Sequence, residues 1–125
     1  MKPTLYMYNL HNEKGRQLEL LCVSQGILCK HVDAALYNQP IGYVTIEGFP
    51  ASDTPTGDEP FEDEMLIFKE FTQEQIGTFL SQCRQANIPP TPLKAGLTPT
   101  NIHWTSIQLH KELQEEHRAF TEQKA

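Results

Sequence analysis

Seven positions recur in this chain at a spacing of 61 residues. Leu5, Leu10, Glu13, Leu18, Cys22, Ile27 and Val32 reappear as Leu66, Phe71, Glu74, Phe79, Cys83, Ile88 and Leu93. Each set threads a strand pattern, a helix pattern and a second strand pattern. The chain therefore reads as two βαβ units followed by a C-terminal helix. Similar local patterning alone could produce this match, without any duplication.

The local signals place these elements. Thr4–Asn9 is rich in aromatic and apolar residues and is expected to form a strand. A helix is predicted over Glu13–Gln25, with Leu18, Leu21 and Cys22 on its apolar face, Asn12 as N-cap and Gly26-Ile27 as a Schellman-type close. Leu28–Asp33 reads as the second strand. Tyr37–Pro40 is a turn, and Pro40 opens a short helix reaching Glu47. Met65–Phe68 is continuously apolar and reads as the third strand. The second long helix starts at Thr72, which forms a capping box with Gln75, while Phe71 and Ile76 form a hydrophobic staple.

Ile88–Trp104, IPPTPLKAGLTPTNIHW, carries the densest punctuation. Asn87 suits a left-handed helix cap, and Pro89, Pro90 and Pro92 forbid continuation of the helix. Leu93–Ala95 is a short strand, and Gly96–Thr98 turns the chain. Thr98-Pro99 and Asn101 are alternative starts for a final helix over Ile102–His117, with residues 118–125 expected to fray.

Two architectures fit. The expected one is a small three-layer α/β fold in a single domain, residues 1–125. Its four-stranded sheet would be mostly parallel, in order 2-1-3-4, with helices on both faces. Met65–Phe68 shows no alternation, which suits a strand buried on both faces. The long connection before it suits a crossover rather than a hairpin. The alternative is a ferredoxin-like α+β fold.

LKAGLTPTNIHWT, preceded by an MLIF strand and an FTQEQ helix start, resembles the signature of a bacterial family known only as domain of unknown function 3783. Leu93, Lys94, Ala95, Leu97, Thr98, Pro99, Thr100, Asn101 and Trp104 carry that resemblance. It covers the second half of the chain well and the first half loosely. It implies a small bacterial, cytoplasmic protein, and it implies no activity, substrate or cofactor.

Charge narrows the partners. Of sixteen acidic residues, six lie within Ala51–Glu64, a stretch without Lys or Arg, and the rest of the chain balances ten acidic against ten basic residues. With no basic cluster, nucleic acid is not an expected partner. The acidic stretch reads as a solvated flexible loop, 51–64, which could attract a basic partner or a divalent cation. No apolar run approaches the length of a membrane span. Cys22, Cys29 and Cys83 form no C-x-x-C, leave one thiol unpaired in any disulfide scheme, and point to a reducing compartment.

In a parallel sheet, ligands bind beyond the carboxyl ends of the strands where the order reverses. That rule would bring His11 and Asn12 together with Thr98, Thr100, Asn101 and Trp104, along with Asn9, Tyr37 and Gln39. The polar groups of Thr98, Thr100 and Asn101 could serve an anion at a helix start, or simply cap it. A small anion, a peptide or a partner protein is the expected ligand, recognised without catalysis. The alternative is a small enzyme using His11 with Glu13, Asp33 or Glu70. No metal and no cofactor is expected: His103, His110 and His117 stand two helical turns apart, too far to share an ion, and read as a solvated stripe. A homodimer through the C-terminal helix is a third option.

Overall fold

A computed structural model describes residues 2–124 of the chain. The elements follow in the order β1 (Thr4–Tyr8), α1 (Glu13–Gln25), β2 (Leu28–His31), α2 (Ile41–Thr45), β3 (Met65–Lys69), α3 (Gln73–Gln85), β4 (Lys94–Gly96) and α4 (Ser106–Lys124). Single 3-10 turns lie at Ala34–Leu36 and Asn101–His103. The long helices form where the caps predict. The Asn12 side chain accepts from the Gly15 amide, and Gly26 closes α1 in the left-handed region at φ 71°. Thr72 and Gln75 make both bonds of the capping box on α3, and Asn87 turns left-handed at φ 60°.

The strands lie in the order β2-β1-β3-β4. The order is the expected one, but the directions are not. β1 pairs with β2 in parallel and β3 with β4 in parallel, yet β1 and β3 run antiparallel, with Tyr6 opposite Ile67. The sheet is therefore mixed, not mostly parallel. The physical reason is that a continuously apolar strand reports burial on both faces and says nothing about the direction of its neighbour. Met65 and Ile67 enter one core cluster, and Leu66 and Phe68 enter the other.

The antiparallel centre makes the two βαβ units rotational copies. Leu5 faces Phe68 and Met7 faces Leu66. A shift of 61 residues exchanges these two pairs and leaves Tyr6–Ile67 on the axis. Repeat partners therefore share one core: Leu5, Leu18 and Cys22 of the first unit meet Leu66, Phe79 and Cys83 of the second. The backbone repeats too, since Asn9 and Glu70 both take positive φ, 59° and 63°. The second unit departs from the first at β4. Leu5 pairs with Cys29, but Leu66 pairs with Lys94 rather than with residue 90. The proline-rich run delays β4 because prolines cannot donate to the ladder.

The opposite sheet face has no such symmetry. Tyr6, Tyr8, Met65 and Ile67 pack there with Ile41 of α2 and with Ile107, Leu109 and Leu113 of α4. α4 starts later than the sequence reading placed it. Trp104 is extended, and Thr105 with Gln108 forms a capping box before the helix. The helix runs to Lys124, and Ala125 lies outside the described residues. Acidic residues 51–64 have no helix or strand. They are tied down by Asn38 to Asp58 and Thr56, by Gln39 to Ser52, and by Asn9 to the carbonyls of Phe61 and Asp63.

Two helix glycines separate steric need from tolerance. A Cβ on Gly15 would stand 1.7 Å from the Leu10 carbonyl oxygen, whereas one on Gly77 meets nothing within 4 Å. Gly15→Ala is expected to lose more than about 2 kcal/mol through that backbone clash, and Gly77→Ala to gain roughly 0.5–1 kcal/mol from helix propensity. Urea unfolding of both variants measures this, and equal effects would contradict the packing described.

Candidate functional site

The reversal of β3 separates the six predicted site residues. His11 and Asn12 follow β1, at the end where Tyr8 faces Met65. Thr98, Thr100, Asn101 and Trp104 follow β4, at the end where Thr4 faces Lys69 and Phe68 faces Gly96. They do not share one edge, because antiparallel pairing sends the carboxyl ends of β1 and β3 to opposite sides.

At the β4 end, the polar groups satisfy one another. The Thr98 amide donates to Asn101 Oδ1 and the Asn101 amide to Thr98 Oγ1, both at 2.9 Å. Asn101 Nδ2 donates to the Gly96 carbonyl, and the residue is buried. Thr100 is exposed and makes no side-chain cap. Trp104 is half-buried against the α2–α4 core, and its carbonyl accepts from the Ile41 amide at 2.8 Å. Thr98 and Asn101 thus fix the turn that aims α4.

At the β1 end, the His11 ring stacks on His31 with centroids 4.3 Å apart. The Glu19 carboxylate hydrogen-bonds to His31 Nε2, and among the described residues no carboxylate bonds to His11. The histidine–carboxylate pair therefore belongs to His31. Asn12 caps α1 and also donates to Glu64 at 3.3 Å. Lys14 pairs with Glu64 at 2.7 Å and donates to the Pro90 carbonyl, pinning the end of the acidic segment to α1. The parallel β1–β2 pairing brings His31 beside His11. Nothing in residue spacing marks Glu19, which comes from the polar side of α1.

A third cluster lies between that segment and α4. His110 is buried, which corrects the solvated histidine stripe: its Nε2 meets Asp63 Oδ2 at 2.9 Å. Its ring lies flat on Phe61, 4.0 Å between centroids. Phe61 also stacks on Tyr37 and Tyr8. Tyr37 donates to Asn9 Oδ1, and Tyr8 shares a 2.7 Å hydrogen bond with Ser106. Burial pushes the Tyr8 and Tyr37 hydroxyls above the usual phenol range, and the Asn9 contact only partly offsets this at Tyr37. Both hydroxyls stay protonated near neutral pH, and Tyr37 donates to Asn9. The lone aromatic Phe61 within an acidic run was the available signal for this clamp.

Beyond the clamp, a groove of about 750 Å³ opens between Glu62–Glu64, Pro92-Leu93 and the outer half of α4. Glu62, Asp63, Glu64 and Glu115 line it against Arg118 and His117. Glu115 pairs with Arg118 one turn away. Among the described residues, no group of three or more His, Cys, Asp or Glu side chains is placed to hold a metal ion. No described helix is long and apolar enough to cross a membrane.

Residues 64–120 match the model of a family described as Domain of unknown function (DUF3783), in agreement with the resemblance drawn from the sequence. The matched segment holds β3, α3, β4 and most of α4, and with them the groove lining apart from Glu62 and Asp63. No curated protein and no solved structure matches the chain.

The Phe61 clamp should govern opening of residues 51–64. Each aromatic contact is worth about 0.5–1.5 kcal/mol, and Phe61 makes three. Phe61→Ala is expected to speed proteolytic cleavage within 51–64 by roughly tenfold or more while the fold stays intact by circular dichroism. Unchanged cleavage would show that the segment is held elsewhere.

Proposed function

We propose that this chain, a member of that family through residues 64–120, is a small bacterial, cytoplasmic binding module without catalytic activity. Its contact surface is the groove between Glu62–Glu64, the start of β4 and the outer half of α4. Its partner is a protein segment rich in Lys and Arg. The observation that carries this reading is the lining itself: four carboxylates beside Pro92 and Leu93, of which Glu64, Asp63 and Glu115 are also held by Lys14, His110 and Arg118. Six acidic residues within 51–64, with no basic residue among them, extend the negative field beside the groove. Such a field raises association rates for cationic partners and disfavours anionic ones.

The partner replaces the small anion of the sequence reading, because Thr98 and Asn101 are engaged with each other. A second reading, a small enzyme, has one observation in its favour: Glu19 holds His31 beside His11 at the other site. The base would then be His31, positioned by Glu19.

Titration of an oligolysine peptide, followed by amide shifts in nitrogen-15 NMR, tests the binding reading. Shifts are expected at Glu62–Glu64, Leu93 and Gln114–Arg118, with affinity falling steeply as salt rises past physiological strength. Glu62→Lys combined with Glu115→Lys should weaken binding about tenfold or more, near 1.4 kcal/mol, and His31→Gln should leave it unchanged. Equal binding of oligoglutamate, or no loss on charge reversal, would overturn the proposal.

A further inference from the structure

The layer of α1 and α3 lies on the other face of the sheet from the groove, and it holds one polar atom that the fold leaves unpaired. Gln82 of α3 is half-buried, and its Oε1 is buried without a hydrogen-bond partner, the one such side-chain atom among the described residues. An acceptor in that state costs stability, so the position needs a reason to be polar. Packing gives none: a shift of 61 residues takes Gln82 to Leu21, where the first unit packs an apolar side chain on the same core.

Gln82 lines a cavity of about 420 Å³ between the end of α1 and the length of α3, a volume suited to a small ligand. Pro3, Ile27, Phe71 and Phe79 supply its apolar walls, and an aromatic wall favours positive over negative charge. Glu74 is the one charged residue of the lining, which has no Lys, Arg or His. Thr72 and Gln75 also border the cavity, but the capping box occupies Thr72 Oγ1 and Gln75 Oε1. The first unit fills its matching corner from within. There the shift takes Phe71, Gln75 and Phe79 to Leu10, Lys14 and Leu18, and the Lys14 ammonium is held by Glu64 and the Pro90 carbonyl. The second unit has the neutral Gln75 in place of Lys14, and so lacks an ammonium of its own there.

We propose that this cavity binds a small organic cation, a primary ammonium on a short apolar chain, whose N–H donates to Gln82 Oε1.

The two polar groups have different roles. Gln82 follows Glu74 by eight residues, about 12 Å along a helix at 1.5 Å per residue. The ammonium therefore bonds to Gln82, while the Glu74 carboxylate acts through its field. The apolar chain of the ligand is buried against Ile27 and Phe79. A carboxylate of the same size is repelled by Glu74 and offers Oε1 no donor. A quaternary ammonium carries the charge but has no N–H to give.

The probe is n-butylammonium chloride, titrated into the full-length nitrogen-15-labelled protein at constant ionic strength. Saturable shifts are expected at Ile27, Phe71, Glu74 and the side-chain amide of Gln82, with a raised melting temperature. Sodium butyrate and tetramethylammonium chloride should each bind about tenfold more weakly or worse, the first for its charge and the second for want of a donor. Gln82→Leu should fold at least as stably as the parent and lose binding by about tenfold or more. Glu62→Lys combined with Glu115→Lys should leave n-butylammonium binding unchanged, which separates this cavity from the groove. Equal binding of butyrate or tetramethylammonium, a Gln82→Leu variant that binds like the parent, or no saturable shift at these residues would overturn the proposal. The comparison of the three ligands on the parent protein decides the question even if a variant fails to fold.

Discussion

The antiparallel pairing of β1 with β3 is the constraint on which the rest of the structure depends. With Tyr6 facing Ile67, the two βαβ units become rotational copies about the centre of the sheet. The consequence is a core in which each unit supplies equivalent positions. Leu18 and Phe79, Cys22 and Cys83, and Ile27 and Ile88 all pack on or into one cluster. Burying each large side chain is worth about 1.5–3 kcal/mol, so neither unit has a sufficient core alone. The opposite face is where the copies stop matching: α2, Tyr37, Trp104, the clamped acidic segment and α4 cover it. The groove lies on that unmatched side, as does the Phe61–His110 stack.

The local rules made much of this legible. Asn12, Gly26, Thr72, Gln75 and Asn87 are capping residues by chemistry, and each caps where its chemistry says. The strand order is also the expected one, with β2 and β4 outside. Strand direction is not. Met65–Phe68 is apolar throughout because both faces are covered, and a parallel or an antiparallel neighbour would leave the same trace. The error then spread to the site, since His11 and Thr98 could meet only if β1 and β3 ran the same way.

Other misses came from contacts between residues distant in sequence. Asp63 and His110 meet because the acidic segment folds back onto α4, and Glu19 meets His31 because β2 lies parallel to β1. No periodicity encodes either contact. Asn9 and Glu70 adopt positive φ without the glycine that usually announces it. The capping box at Thr105 and Gln108, by contrast, was open to reading from spacing alone. It was masked by the nearer candidates Thr98 and Asn101, which fold the preceding turn instead.

The most direct test of this account is a search for Hα–Hα nuclear Overhauser effects between β1 and β3 in the isotopically labelled protein. Antiparallel strands bring the Hα atoms of non-hydrogen-bonded pairs close together, whereas parallel strands do not. The account predicts such cross-peaks in the register Tyr6–Ile67, Leu5–Phe68 and Met7–Leu66, confined to the non-hydrogen-bonded pairs among them. Their absence, with a staggered Hα-to-amide pattern in its place, would contradict it. The sheet would then be parallel, and His11 and Asn12 would return to one edge with Thr98 and Asn101.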